Sequence, residues 1–105
     1  MAGPYNPPKK GKAFVVHIAL QDLSNPGSFK ANPTIASGDF KVDVDGAGLG
    51  NLGTLPTNDP AGSIWVKLSL STDEMNGDNI NIQAIDQTSP KEWADFALCV
   101  ETAAA

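Results

Sequence analysis

The chain has 105 residues, 41% hydrophobic and 18% charged, which suits one domain with a single two-layer core. Twelve acidic residues against seven basic ones give a formal charge of −5, which argues against nucleic acid as a main partner, because neutralising phosphates needs a basic face. All seven basic residues are lysines, so no guanidinium fork exists, and a lone cysteine, Cys99, rules out an intrachain disulfide.

Residues 1–12, MAGPYNPPKKGK, are rich in Pro, Gly and Lys and show no hydrophobic period, which predicts an extended arm outside the core. The segment has positive charge but no following apolar stretch of the kind a secretory leader needs. The longest apolar run, AFVVHIAL, is far short of the roughly 20 residues that cross a bilayer. The expectation is a soluble protein made in the cytosol, with no membrane partner.

From residue 13 onward the pattern is period-2 alternation. In AFVVHIALQ, Phe14, Val16, Ile18 and Leu20 share one face, and Ala13, Val15, His17 and Ala19 the other. A weaker strand is expected in FKANPTI, with Pro33 marking an edge or an end. FKVDVD turns Phe40, Val42 and Val44 inward. SIWVKLSLS does the same with Ile64, Val66, Leu68 and Leu70 and leaves Trp65, Lys67 and Ser69 outside. NINIQA and FALCVE supply Ile80 and Ile82, then Phe96, Leu98 and Val100.

Turn clusters such as SNPGS, DGAGLGN, PTNDPAGS and DQTSP separate these runs, and no stretch sustains a 3.6-residue period. The pattern predicts an all-β protein, a single antiparallel β-sandwich of immunoglobulin-like type. STDEMNG at 71–77 carries an S-x-x-E capping box at Ser71 and Glu74, which predicts a short helical turn crossing between sheets. The organisation is therefore an arm at 1–12, a sandwich at 13–102 and an alanine tail at 103–105.

Several stretches resemble sites of chemistry. GLGNLG at 48–53 reads as G-x-G-x-x-G after a strand, the glycine pattern of dinucleotide loops. Such a loop needs a following helix to hold the pyrophosphate and an acidic residue about 20 positions on. Here TLPTNDPAGS follows, with Pro56 and Pro60, so the glycines are expected to serve a hairpin or bulged loop instead. Asp43 and Asp45 resemble the opening of a calcium loop, but the later ligands of that pattern are missing. Strand alternation explains both aspartates, and Asp59 or Asp78 could still complete a site in space.

The single histidine, His17, has no second histidine or cysteine at ligand spacing, so no metal site is expected. Cys99 in FALCV is either a small core or sheet-face residue or a nucleophile that would need that one histidine as its base. No serine sits in G-x-S-x-G, and the acidic residues fall in turns and on outward strand positions. The expectation is a protein without catalytic residues or cofactors. Trp65 points away from the core and is either covered by a loop or open to a partner, and Trp93 precedes the last strand. Rigid rings bury much area at low entropy cost, so with Val15 both are candidates for contacting a partner.

One further likeness is carried by the order KVDVDG, NLGTLPT, PAGS, VKLSLS, DEMNGD and INIQAID over residues 35–101. This order resembles a module of tailed-bacteriophage and prophage structural gene clusters, although the family pattern often has K-D-G-G where this chain has VDGAG. The resemblance implies an immunoglobulin-like, non-enzymatic virion component in the neck, tail or fibre attachment, or else a capsid-decoration protein. It implies other virion proteins as partners, a homo-oligomeric or multi-copy state, and localisation in the virion. A carbohydrate- or cell-surface-binding module, using Trp65, Trp93 and the Asp-rich loops, is the reading from another functional class. The arm lies outside the likeness. Its prolines restrict the free chain, so Pro4, Tyr5, Pro7 and Pro8 could lie across a neighbour at low entropy cost, with Lys9, Lys10 and Lys12 paired to an acidic surface.

Overall fold

The computed structural model describes residues 7–104. Among the described residues the fold has seven strands: β1 (Phe14–Ala19), β2 (Phe40–Val44), β3 (Gly50–Asn51), β4 (Thr57–Asn58), β5 (Trp65–Leu70), β6 (Asn79–Ala84) and β7 (Phe96–Glu101). They form two antiparallel sheets, one of three strands in the order β1-β5-β4 and one of four in the order β3-β2-β6-β7. The all-β expectation holds, with two sheets sharing one core as in a sandwich.

Alternation determines what each sheet buries. Ile18, Val66, Leu68 and Leu70 come from the three-stranded sheet, and Phe40, Val42, Ile80, Ile82, Ala84 and Val100 from the other. Burying a branched or aromatic side chain of this kind contributes about 1.5–3 kcal/mol relative to exposure, so the inward positions hold the sheets together. Leu20, Met75 and Trp93 complete the core from outside the regular strands.

Three local expectations need correction. FKANPTI is not a strand: Phe29 makes an isolated antiparallel bridge to Gln21, and the chain then turns at Asn32, whose φ is 49°. The helical turn at 71–77 is also not formed. The reciprocal capping bonds are present, with the Ser71 amide donating to Glu74 Oε1 and the Glu74 amide to Ser71 Oγ. However, the Met75 amide bond to the Ser71 carbonyl is not repeated along the segment, so it remains a turn that anchors the buried Met75. Third, Trp93 lies in the core, which removes it as a partner contact. The Glu92–Ala94 segment is tied to the end of β1, with the Leu23 amide donating to the Glu92 carbonyl and the Ala94 amide to the Gln21 carbonyl. That attachment leaves the indole inside, its Nε1 donating to the Thr34 carbonyl at 3.2 Å and its ring 5.8 Å from that of Phe40.

The GLGNLG stretch forms the turn and returning strand of a β2–β3 hairpin, with Lys41 opposite Asn51 and Val42 opposite Gly50. Asp45, Gly46 and Gly48 take positive φ in its loop. Asp43 fixes this loop by accepting the amides of Gly46 and Gly48, and Asp45 accepts those of Asp78 and Asn79 across the sheet. Gly77 is required at this crossing, because a Cβ there would run into the Val44 side chain and lie 2.7 Å from an Asp45 carboxylate oxygen. Glu74 reaches back to take the amide of Gly53 at 2.9 Å. The stretches KVDVDG, NLGTLPT and DEMNGD thus meet in space as one hydrogen-bonded unit.

Candidate functional site

The outward face of the three-stranded sheet displays Val15, His17 and Ala19 from β1 opposite Ser69, Lys67 and Trp65 from β5. Val15 is 47% exposed and Trp65 46%, so the alternation read from the sequence places both outside, and no loop among the described residues covers the indole. Phe29, 56% exposed, joins them: it opposes Gln21, two residues beyond the Ala19–Trp65 pair on the same flank of the strand. Its contribution was hidden in the sequence, because FKANPTI read as a strand of its own. Large apolar side chains thus remain uncovered at both ends of this face, outside the closed core. Between its apolar ends the face is polar, with His17 opposite Lys67 and His17 Nε2 3.6 Å from Asp59 Oδ2.

The arm residues occupy another part of the molecule. Pro4 and Tyr5 lie outside the described residues. Pro8 accepts the Ala103 amide at 2.8 Å, Lys10 donates to the Ala103 carbonyl at 3.0 Å, and Gly11 donates to the Met75 carbonyl at 2.9 Å. The arm therefore runs parallel to the chain just beyond β7, through the Lys9–Ala103 bridge, and Pro7 precedes it half-buried. Lys10 sits 3.6 Å from Asp78 of its own chain, an exposed pair of small energetic weight, while Lys9 and Lys12 are exposed. The arm and the Val15–Trp65 face do not form a single site: the arm lies by the turn after β5, and Trp65 is at the opposite end of that strand.

The chemistry-bearing residues are dispersed. His17 is on the outward face of one sheet and the exposed Cys99 on that of the other, so this imidazole is not placed to activate the thiol. Cys99 borders a shallow groove of about 280 Å³ under Leu49, with Asn81, Gln83 and Ala97 as neighbours. No group of three or more His, Cys, Asp or Glu side chains gathers at metal-binding distance among the described residues. The carboxylates read as a possible calcium loop have other partners. Bonds from the Gly48 amide and then the Asn81 side chain hold the Asp43 carboxyl below the ordinary aspartate value, and those from Asn79 and Asp78 do the same for Asp45. Asp59 is on the other sheet, beside His17.

Two aspartates are buried with full hydrogen bonding. Asp39 accepts the amides of Ala36 and Gln87, and Asp86 those of Thr88 and Glu92. Burial is the largest influence on Asp86 and pushes its carboxyl upward, but the bonds from Glu92, Thr88 and Trp93 together outweigh it and leave the group lowered. These are structural carboxylates that tie loops to the core. No helix among the described residues is long and apolar enough to cross a membrane. No protein-family model, curated protein or solved structure matches this chain.

Proposed function

We propose that the protein is a non-enzymatic structural component of a bacteriophage virion, in the neck, tail or fibre attachment, that docks on other virion subunits through the outward face of its three-stranded sheet. The observation that carries this is the exposure of Val15, Phe29 and Trp65 on one face of a domain whose hydrophobic core needs nothing more to cover it. Aromatic and aliphatic anchors presented on a rigid sheet are what a repeated docking contact uses. The phage reading itself comes from the order of motifs, and three of those motifs interlock through Asp45, Gly77, Glu74 and Gly53, which gives that order a folding reason.

The finer immunoglobulin-like assignment rests on strand order. Labelling β1 to β7 as B, C, C′, D, E, F and G gives sheets B-E-D and C′-C-F-G, with the first strand reduced to the parallel Lys9–Ala103 bridge beside G. Capsid decoration uses the same surface and differs in copy number. The glycan-binding alternative keeps only Trp65, because Trp93 is in the core and Asp43 and Asp45 are engaged by amides.

Quantitative mass spectrometry of purified particles from the phage or prophage that encodes the chain tests the proposal. A few to a dozen or so copies per particle are expected for a neck, tail or fibre location, and hundreds for decoration. Trp65→Ala should lower incorporation about tenfold while the protein stays folded. Complete absence of the chain from particles would overturn the virion reading.

A further inference from the structure

Sheet edges are usually protected against pairing with other chains, by being short, charged, covered or interrupted by proline. Two of the four edges among the described residues follow that rule. β3 and β4 are two residues long. β1 and β7 are the exceptions, six residues each with one partner strand among the described residues. β7, however, ends on the acidic Glu101 and the chain just beyond it is bridged by Lys9, whereas β1, FVVHIA, has no glycine, proline, lysine or acid.

The register shows which backbone groups are open. The Asp59 amide donates to the Trp65 carbonyl, and Thr57 pairs with Lys67, so residues 65, 67 and 69 direct their backbone groups toward β4. By antiparallel alternation, residues 66, 68 and 70 of β5 bond to 18, 16 and 14 of β1. The amides and carbonyls of Val15, His17 and Ala19 therefore point away from the sheet. Further along the same edge the Gln21 carbonyl and Leu23 amide are already taken by Ala94 and Glu92. The open stretch is thus closed on its C-terminal side, and within β1 it comprises three residues, which carry three donors and three acceptors.

We propose that this edge pairs with the same edge of a second copy, about a two-fold axis at His17, to form a continuous sheet β4-β5-β1-β1′-β5′-β4′. The inference rests on the multi-copy reading proposed above and narrows it to one contact. In that register Val15 pairs with Ala19′, His17 with His17′ and Ala19 with Val15′, so every open amide and carbonyl of one copy meets its counterpart in the other. The segment at Glu92–Ala94 stops the partner strand at each end and excludes registers shifted toward Gln21. The side chains also favour a second copy. Val15, His17 and Ala19 carry no acidic group, so pairing them sets no carboxylate directly opposite another, and Asp59 lies 3.6 Å from His17 of its own chain. On the inward side Phe14 and Val16 face the core yet remain only partly buried, and Val16 would lie against Ile18′. Pairing of the edges also joins the two exposed Val15–Trp65 surfaces into one.

Sedimentation velocity on the full chain tests this. At about 100 μM the wild type should sediment at twice the 10.9 kDa chain mass. His17→Glu and His17→Lys each place like charges opposite one another at the axis and should each weaken the dimer about tenfold or more. Either variant keeps an opposite charge within its own chain, Lys67 for the glutamate and Asp59 for the lysine. An equimolar mixture of the two should therefore dimerise again, which also shows that both are folded. A monomeric wild type, variants that associate like the wild type, or a mixture that stays monomeric would overturn the edge pairing. A monomer that still enters particles would sink this inference and spare the virion reading; a dimer absent from particles would do the reverse.

Discussion

The two tryptophans sit in regions built by different rules. Trp65 is the first residue of β5, and its outward direction follows from the pleat that sends Val66, Leu68 and Leu70 inward. Trp93 is in a connecting segment, and its position depends on contacts that no pleat dictates: Thr34 at its indole nitrogen, Phe40 at its ring, and the end of β1 alongside its backbone. One residue type thus acts as surface in one place and as core in the other. The difference lies in whether a local period specifies the side chain's direction.

The same distinction separates what the sequence made legible from what it did not. Phe14 to Leu20, Phe40 to Val44, Ile64 to Leu70, Ile80 to Ala84 and Phe96 to Val100 could be oriented from alternation, and the structure buries the inward member of each pair more deeply than the outward one. Val15 and Trp65 were legible as surface for that reason. Phe29, Trp93 and Met75 were not, because each is placed by a turn or a bridge between distant parts of the chain. The strands β3 and β4 escaped notice since two residues carry no period. The capping box at Ser71 was recognised by its chemistry, but a cap does not propagate a helix when Asn76 and Gly77 follow and the Met75 side chain is drawn into the core. The open edge of β1 was hidden as well, since only the register reveals which backbone groups are left unpaired among the described residues.

The largest expected effect comes from removing the buried ring. Trp93→Ala leaves a cavity beside Phe40 and frees the Thr34 carbonyl from its donor, and should cost about 3–5 kcal/mol in urea unfolding. A loss below about 1 kcal/mol would mean that the ring is not part of the core. In a Trp65→Phe background the remaining indole should emit at short wavelength and resist iodide quenching.

Acid probes the same region more gently. The Asp86 carboxyl is held below its unfolded value of 3.8 by loop amides that include those of Glu92 and Trp93. Asp43 and Asp45 are lowered in the same direction by amides of the hairpin and its neighbour. A lowered folded-state value means that the unfolded chain takes up protons first. The stabilisation is complete above about pH 4 and declines as pH falls through the folded-state values. Stability should therefore be flat through neutral pH and fall on further acidification. Asp86→Asn should flatten part of that fall, and a profile identical to the wild type would show that the loop amides do not hold the carboxylate.

The smallest expected effect on stability is at Trp65, and its smallness carries the argument. Trp65→Ala removes a ring that is nearly half exposed and that makes no hydrogen bond through its indole nitrogen among the described residues. Surface substitutions of this kind stay within about 0.5 kcal/mol, roughly an order of magnitude below the expected cost at Trp93. In a Trp93→Phe background the Trp65 emission should be red-shifted and readily quenched by iodide. Adding the docking partner should shift it to shorter wavelength and protect it. A destabilisation of 2 kcal/mol or more from Trp65→Ala would place the ring in the structural framework and leave the outward face without its largest anchor. A near-neutral value would leave binding as the property that this side chain affects, because its burial is then gained only when another surface covers it.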